Sequence, residues 1–143
     1  MDINSLKTIE VELAILHRKA AAALESNTLG RLDRAGYLIL HLIVSNGPAG
    51  MKALAAQANL DISTVSRQAA TLEKNKCVYK IPDPTDRRAY FLRITELGTK
   101  ELNSYKEARL TKLSEVLTDW TEEERNVFGR LLTKFNQQAI VKK

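Results

Sequence analysis

The sequence predicts a mainly α-helical protein carrying one small β-hairpin, and three observations lead there. Apolar residues recur every three or four positions over most of the chain, strand-like alternation is confined to the stretch between Cys77 and Thr95, and two of the three prolines, Pro82 and Pro84, interrupt that stretch. A helix buries one stripe and a half-buried strand buries alternate residues, so the change of period marks the change of structure. The chain has 143 residues, 44% hydrophobic and 27% charged, enough for one ordinary core or a small core plus an extended arm. No repeat, low-complexity tract or Ser/Gly linker divides it, so one domain over residues 1–143 is expected.

Ile3, Leu6, Ile9, Leu13, Leu16, Ala20 and Leu24 lie on one stripe and define the first helix. A second runs from about Asp33 to Asn46, where Gly47 can take a left-handed cap conformation and Pro48 cannot continue the helix. Its residues are apolar nearly all round, which predicts deep burial. Met51, Leu54, Ala55 and Ala58 form the inner face of a short third helix, and "ANLD" is a tight turn with Leu60 pointing inward. Asp61 or Ser63 caps a fourth helix whose Ile62, Val65, Ala69 and Leu72 face the core. This is a helix-turn-helix pattern.

"CVYKI" and "AYFLRIT" then read as two strands around "PDPTD". Pro82 and Pro84 stiffen the turn, the side chains of Asp83 and Asp86 can hydrogen-bond local backbone, and Arg87 and Arg88 are left at the tip. Thr95 to about Thr118 forms a long helix with Leu97, Leu102, Tyr105, Leu110, Leu113, Val116 and Leu117. Thr121 and Glu124 form a capping box for a last helix through Val141, with Val127, Phe128, Leu131, Leu132, Phe135 and Ile140. A chain of this size has no evident compact core for both terminal stripes, so a partner is expected to bury them; completion of the monomer core is the alternative.

The outer face of the fourth helix carries Ser63, Thr64, Ser66, Arg67, Gln68 and Thr71, with no carboxylate until Glu73. A face serving only solubility usually mixes Glu and Lys. Small hydroxyl residues let a helix approach a groove floor, and Arg and Gln can pair with guanine and adenine edges. A hairpin after a helix-turn-helix is a wing, and arginines at its tip can enter a minor groove, where negative potential is concentrated. From Asp61 to Arg93 there are seven basic residues against four acidic ones, and the whole chain carries +5. An ordinary Ser/Thr-rich exposed helix and a solvated hairpin with local Asp–Arg pairs are the plainer readings of the same residues.

The stretch "LDISTVSRQAATLEKNKCVYKIPDPTDRRAYFLRITELG" resembles the recognition helix, wing and following helix start of the MarR family of winged helix-turn-helix transcriptional regulators. "GYLILHLIVSNGP" and "DWTEEERNVFGRLLTKFNQQ" sit where that family places further helices. The resemblance implies a winged helix-turn-helix at about 33–97, with dimerisation helices at about 3–26 and 100–141. It also implies a homodimer reading a pseudo-palindrome in double-stranded DNA, with Ser63, Thr64, Ser66, Arg67 and Gln68 in the major groove and Arg88 with Arg87 in the minor groove. Thr71 completes the candidate face, and Lys52, Lys74, Lys80 and Arg93 are the expected phosphate contacts. Family members are most often repressors. "NKC" at Asn75 to Cys77 replaces the glycine with which the family usually leaves this helix; Asn75 is expected to take the left-handed conformation instead.

The resemblance further implies an apolar effector pocket between arm and reading head, often for phenolic or other lipophilic compounds. Tyr37 and His41, four apart on one face, with His17 approaching from the first helix, are the candidate polar groups there. Both histidines lie on helices expected to be buried or half-buried, and neither has a Cys, Asp or Glu at metal-ligand spacing. With no nucleophile elbow, phosphate loop or dinucleotide fingerprint, neither an enzyme nor a cofactor is expected. Cys77, the sole cysteine, reads as a small hydrophobe at a helix-to-strand junction, with a redox role as the competing reading. One cysteine, no signal-like segment at "MDINSLKTIE" and an apolar run, "YLILHLIV", too short for a bilayer lead to an expected cytoplasmic location without membrane contact. A winged-helix module binding another protein is the competing function.

Overall fold

The computed structural model describes residues 3–24 and 32–138. Its elements are α1 (Ile3–Leu24), α2 (Arg34–Asn46), α3 (Met51–Ala58), α4 (Ile62–Lys74), β1 (Val78–Pro82), β2 (Tyr90–Ile94), α5 (Glu96–Val116) and α6 (Glu122–Gln138). Residues 25, 26 and 139–141, with Ile140 and Val141, lie outside the described residues, as do the side chains of Ala20 and Leu24.

Local chemistry sets the element ends. Asp33 caps α2, its Oδ1 accepting the Gly36 N–H at 2.8 Å, and Asp61 caps α4 by accepting the Thr64 N–H at 2.8 Å. Gly47 closes α2 at φ +88, a backbone conformation that side chains resist. α3 ends at Asn59 (φ 54), after which the Leu60 N–H returns to the Ala55 carbonyl at 3.0 Å. α4 ends the same way, one residue later than expected. Asn75 stays right-handed at φ −83, and Lys76 takes the left-handed conformation at φ 62. The Lys76 N–H then reaches the Glu73 carbonyl at 3.0 Å and the Cys77 N–H reaches that of Leu72 at 2.8 Å. This pair of bonds needs its left-handed residue just beyond the cap, so the lysine stands where a glycine is usual. The capping box of α6 forms as expected: Thr121 N–H to Glu124 Oε1 at 2.9 Å and Glu124 N–H to Thr121 Oγ1 at 3.1 Å.

α2 runs through the core, where Ile39, Leu40 and Ile43 meet Leu54 of α3, Val65 and Leu72 of α4, Leu92 of β2 and Leu102 and Tyr105 of α5. Every buried hydrophobic among the described residues falls between Leu32 and Tyr105; none belongs to α1 or α6. Cys77 is buried with them, as its reading as a small hydrophobe anticipates. Three expectations need correction. α2 is not buried all round: it packs through Gly36, Ile39, Leu40 and Ile43, leaving Val44 55% exposed and His41 exposed. Ile62 does not face inward but is 50% exposed, because at the first position of α4 it lies beyond the stripe of Val65, Ala69 and Leu72 that the core covers. His17 is also exposed, since α1 contributes nothing to the core.

β1 and β2 pair antiparallel with Val78 opposite Ile94, Lys80 opposite Leu92 and Pro82 opposite Tyr90. A bridge from Ala49 to Leu92, with the Leu92 N–H on the Ala49 carbonyl at 2.9 Å, ties the hairpin to the segment before α3. One paired residue has no periodicity, so "NGPAG" gave no sign of it. Thr95 fastens the other side: its hydroxyl accepts the Gly98 N–H at 2.9 Å and donates to the Lys76 carbonyl at 2.7 Å.

Candidate nucleic-acid interface

α4 has two faces of opposite character. Val65, Ala69 and Leu72 are buried, while Ser63, Ser66, Arg67 and Thr71 are exposed and Thr64 is half-buried. The exposed side is organised from the helix start. Asp61 accepts from Thr64 and from the Ser63 hydroxyl (3.2 Å), and the Arg67 guanidinium donates to the Thr64 hydroxyl at 3.3 Å. Hydrogen bonds from Thr64, side chain and backbone, with Ser63 and the Arg67 charge adding to them, hold the Asp61 carboxyl below the usual carboxylate range. Ionised Asp61 therefore keeps α4 capped and Arg67 oriented at neutral pH.

Gln68 is placed differently from its neighbours. Half-buried, it turns its amide toward the start of α2, with Nε2 donating to Asp33 Oδ2 at 2.8 Å.

The hairpin tip is a chain of side-chain-to-backbone bonds. Asp83 accepts from the Thr85 N–H at 2.8 Å and the Thr85 hydroxyl at 2.9 Å, which hold its carboxyl below the usual range. Asp86 accepts the Arg88 N–H at 3.0 Å and stands 3.8 Å from Arg88 Nε. The Arg88 side chain is nevertheless 95% exposed, so the pairing orients the guanidinium without covering it, and Arg87 is exposed beside it. Lys52, on the first turn of α3, shares a cleft of about 630 Å³ with Arg88, Asp86, Tyr90 and Phe91. Lys74 and Arg93 are exposed. Lys80 pairs with Glu73 at 3.6 Å and lies over the Tyr90 ring at 4.3 Å, contacts that position its stem but leave it at the surface. Sequence reasoning missed Asp33, Glu73 and Thr95, whose partners are distant or on another element.

The candidate effector residues are partly assembled. Tyr37 stacks on His41 with ring centroids 6.1 Å apart and on Tyr105 of α5 at 4.8 Å. His17 lines neither the cleft beside the wing nor the apolar cleft of about 490 Å³ that α1, α5 and α6 form with Ile9, Leu13, Leu16, Val116, Phe128 and Leu132. Among the described residues no group of three or more His, Cys, Asp or Glu side chains is placed to hold a metal ion, and no helix is long and apolar enough to cross a membrane.

Residues 32–90 match the MarR family. The HTH-type transcriptional regulator YxaD of Bacillus subtilis (strain 168) is 38% identical over 138 residues, which cover 96% of each chain. The transcriptional regulator BldR of Sulfolobus solfataricus has a similar fold, with a TM-score of 0.79 at 22% identity over 96% of this chain and 99% of its own. Bordetella bronchiseptica BpsR, whose DNA binding is regulated by 6-hydroxynicotinic acid, aligns with a TM-score of 0.74 at 18% identity over 90% of this chain and 98% of its own.

Proposed function

As the chain belongs to the MarR family of DNA-binding transcriptional regulators, which are not enzymes, we propose that it works as a homodimeric repressor, reading a pseudo-palindromic operator with α4 in the major groove and the β1–β2 tip in the minor groove. The observation that carries this reading is the pairing of surfaces. α4 keeps Ser63, Ser66, Arg67 and Thr71 clear of the core, and the hairpin tip holds Arg88 oriented yet uncovered. Ser63, Thr64, Ser66, Arg67 and Thr71 then face base edges; Arg88 and Arg87 enter the flanking groove; Lys52, Lys74, Lys80 and Arg93 meet phosphates. The two exposed terminal helices, α1 and α6, form the dimer arm, placing the recognition helices about 34 Å apart, one turn of duplex. Residues 33–97 serve as the reading head.

A small lipophilic or phenolic effector is the finer part of the proposal. Tyr37 lies between His41 and Tyr105 where α2 meets α5, an aromatic wall at the junction of head and arm. A ligand there acts by favouring a dimer geometry whose α4 helices no longer match successive grooves.

Selection of bound sequences from a random double-stranded DNA pool, with the winner titrated at two salt concentrations, tests the function. A pseudo-palindrome with half-sites about ten base pairs apart and a steep salt slope is expected. A folded dimer that enriches nothing, or whose binding hardly responds to salt, would favour a protein-binding module instead.

A further inference from the structure

The carboxylate of Asp33 makes two bonds at once. Oδ1 caps α2 through the Gly36 N–H, and Oδ2 accepts from Gln68 Nε2 across 35 residues of sequence, both at 2.8 Å. Gly36 is buried beneath this junction, and a Cβ there would stand 3.2 Å from Asp33 Oδ1 and 3.5 Å from Gln68 Oε1. The glycine at residue 36 thus leaves the capping Asp33 carboxylate its room, while the Gln68 amide stands at ordinary contact distance. Pairing with a base edge requires an amide free to present both donor and acceptor outward. The Gln68 amide donor is instead engaged at the surface by the carboxylate of Asp33, a charge-assisted hydrogen bond of the stronger class.

We propose that Gln68 is a positioning residue: bridged to Asp33, it fixes the rotation of α4 about its own axis, and so the aim of Ser63, Ser66 and Arg67, from the first turn of α2. The bridge rests on the reading of α4 as the major-groove helix. It also ties α4 to the point where the chain enters the head, since Asp33 follows buried Leu32, the first described residue after α1. A helix rotated by even a fraction of a turn carries its side chains off their base edges, while the phosphate contacts of Lys52, Lys80 and Arg93, borne on other elements, persist.

The test uses DNA selected by the wild-type protein and a scrambled duplex of equal length, and reads the ratio of the two affinities. Gln68→Glu sets two carboxylates against each other; Asp33→Asn added to it restores a donor and an acceptor with roles exchanged and keeps a good cap for α2. Gln68→Glu is expected to lower the ratio about tenfold or more, and the double variant to return it to within about threefold of wild type. A double variant as unselective as the single one would overturn the bridge and make Gln68 a direct base contact; an unchanged ratio in Gln68→Glu would overturn it too. If the wild type selects no sequence, the DNA reading itself fails. The bridge is then decided by melting midpoints: lowered by Gln68→Glu and recovered by Asp33→Asn if it exists, additive if it does not.

Discussion

Gly98 is the third residue of α5, a position where alanine would ordinarily stabilise a helix by about 1 kcal/mol. Here the opposite is expected. A Cβ at this site would run into the Cys77 carbonyl oxygen and come within 2.8 Å of Ile94 Cγ1. The carbonyl cannot retreat freely, because it accepts the Thr95 N–H at 2.9 Å. Gly98→Ala is therefore expected to cost about 1–3 kcal/mol in urea unfolding; a gain in stability would mean that the junction of hairpin and α5 yields. At the interface, residue roles separate by what each side chain can touch. Arg88→Ala is expected to weaken selected and scrambled DNA together, by about 1–3 kcal/mol for the selected site, without a change in melting temperature. Arg67→Ala is expected to relax base preference instead. Equal loss on all sequences would make Arg67 a phosphate contact, and an unaltered titration would remove Arg88 from the site.

The termination of α4 and the wing turn carry their own predictions. Lys76 sits at φ 62, where a side chain costs about 1 kcal/mol that glycine avoids, although glycine gives part of this back as chain entropy. Lys76→Gly is expected to raise stability by about 0.5–1 kcal/mol, read from the urea midpoint; a loss would show that the lysine side chain makes a compensating contact. Asp61 and Asp83 hold α4 and the wing tip as ionised acceptors, and both have folded pKa values below their usual ones. The sign follows: an unfolded chain binds these protons at higher pH than the folded one, so their contribution is complete above the ordinary carboxylate range and is lost as pH falls through the lowered folded values. Carboxyl chemical shifts are expected to titrate later for Asp61 and Asp83 than for an aspartate of ordinary pKa as acid is added, with no change between pH 5 and 8. These elements also mark what the sequence discloses. The outer face of α4, the hairpin and the Thr121 capping box are local patterns, legible from spacing alone. The left-handed Lys76, the exposure of Ile62 and His41 and the Asp33–Gln68 bridge depend on which neighbour each element meets, and no local period encodes that.

At the scale of the whole molecule, the apolar residues divide into a buried head and an uncovered arm. α1 exposes Ile3, Leu6, Ile9, Val11, Leu13, Ile15 and Leu16, and α6 exposes Val127, Phe128, Leu131, Leu132 and Phe135, while the core ends at Tyr105. An exposed apolar surface of this extent is the mark of an interface, and the terminal stripes read from the sequence could not join a core already filled by residues 32–105. Leu132 lines the cleft shared by α1, α5 and α6 without contributing to the core. In a two-fold dimer each substitution counts twice. Leu132 is 38% exposed in the protomer, and burying that remainder is worth about 0.5–1 kcal/mol per copy, so Leu132→Asp is expected to raise the dimer dissociation constant by roughly one order of magnitude or more, before any charge penalty. Analytical ultracentrifugation measures this directly, and melting of the variant checks that the head, whose core does not include residue 132, stays folded. A monomer that still bound the full pseudo-palindrome as tightly as the wild type would separate DNA reading from the arm. An undiminished dimer would place the interface elsewhere. The expected monomer, folded and reduced to weak, salt-sensitive binding of single half-sites, would show that the uncovered helices convert one modest reading surface into a selective one.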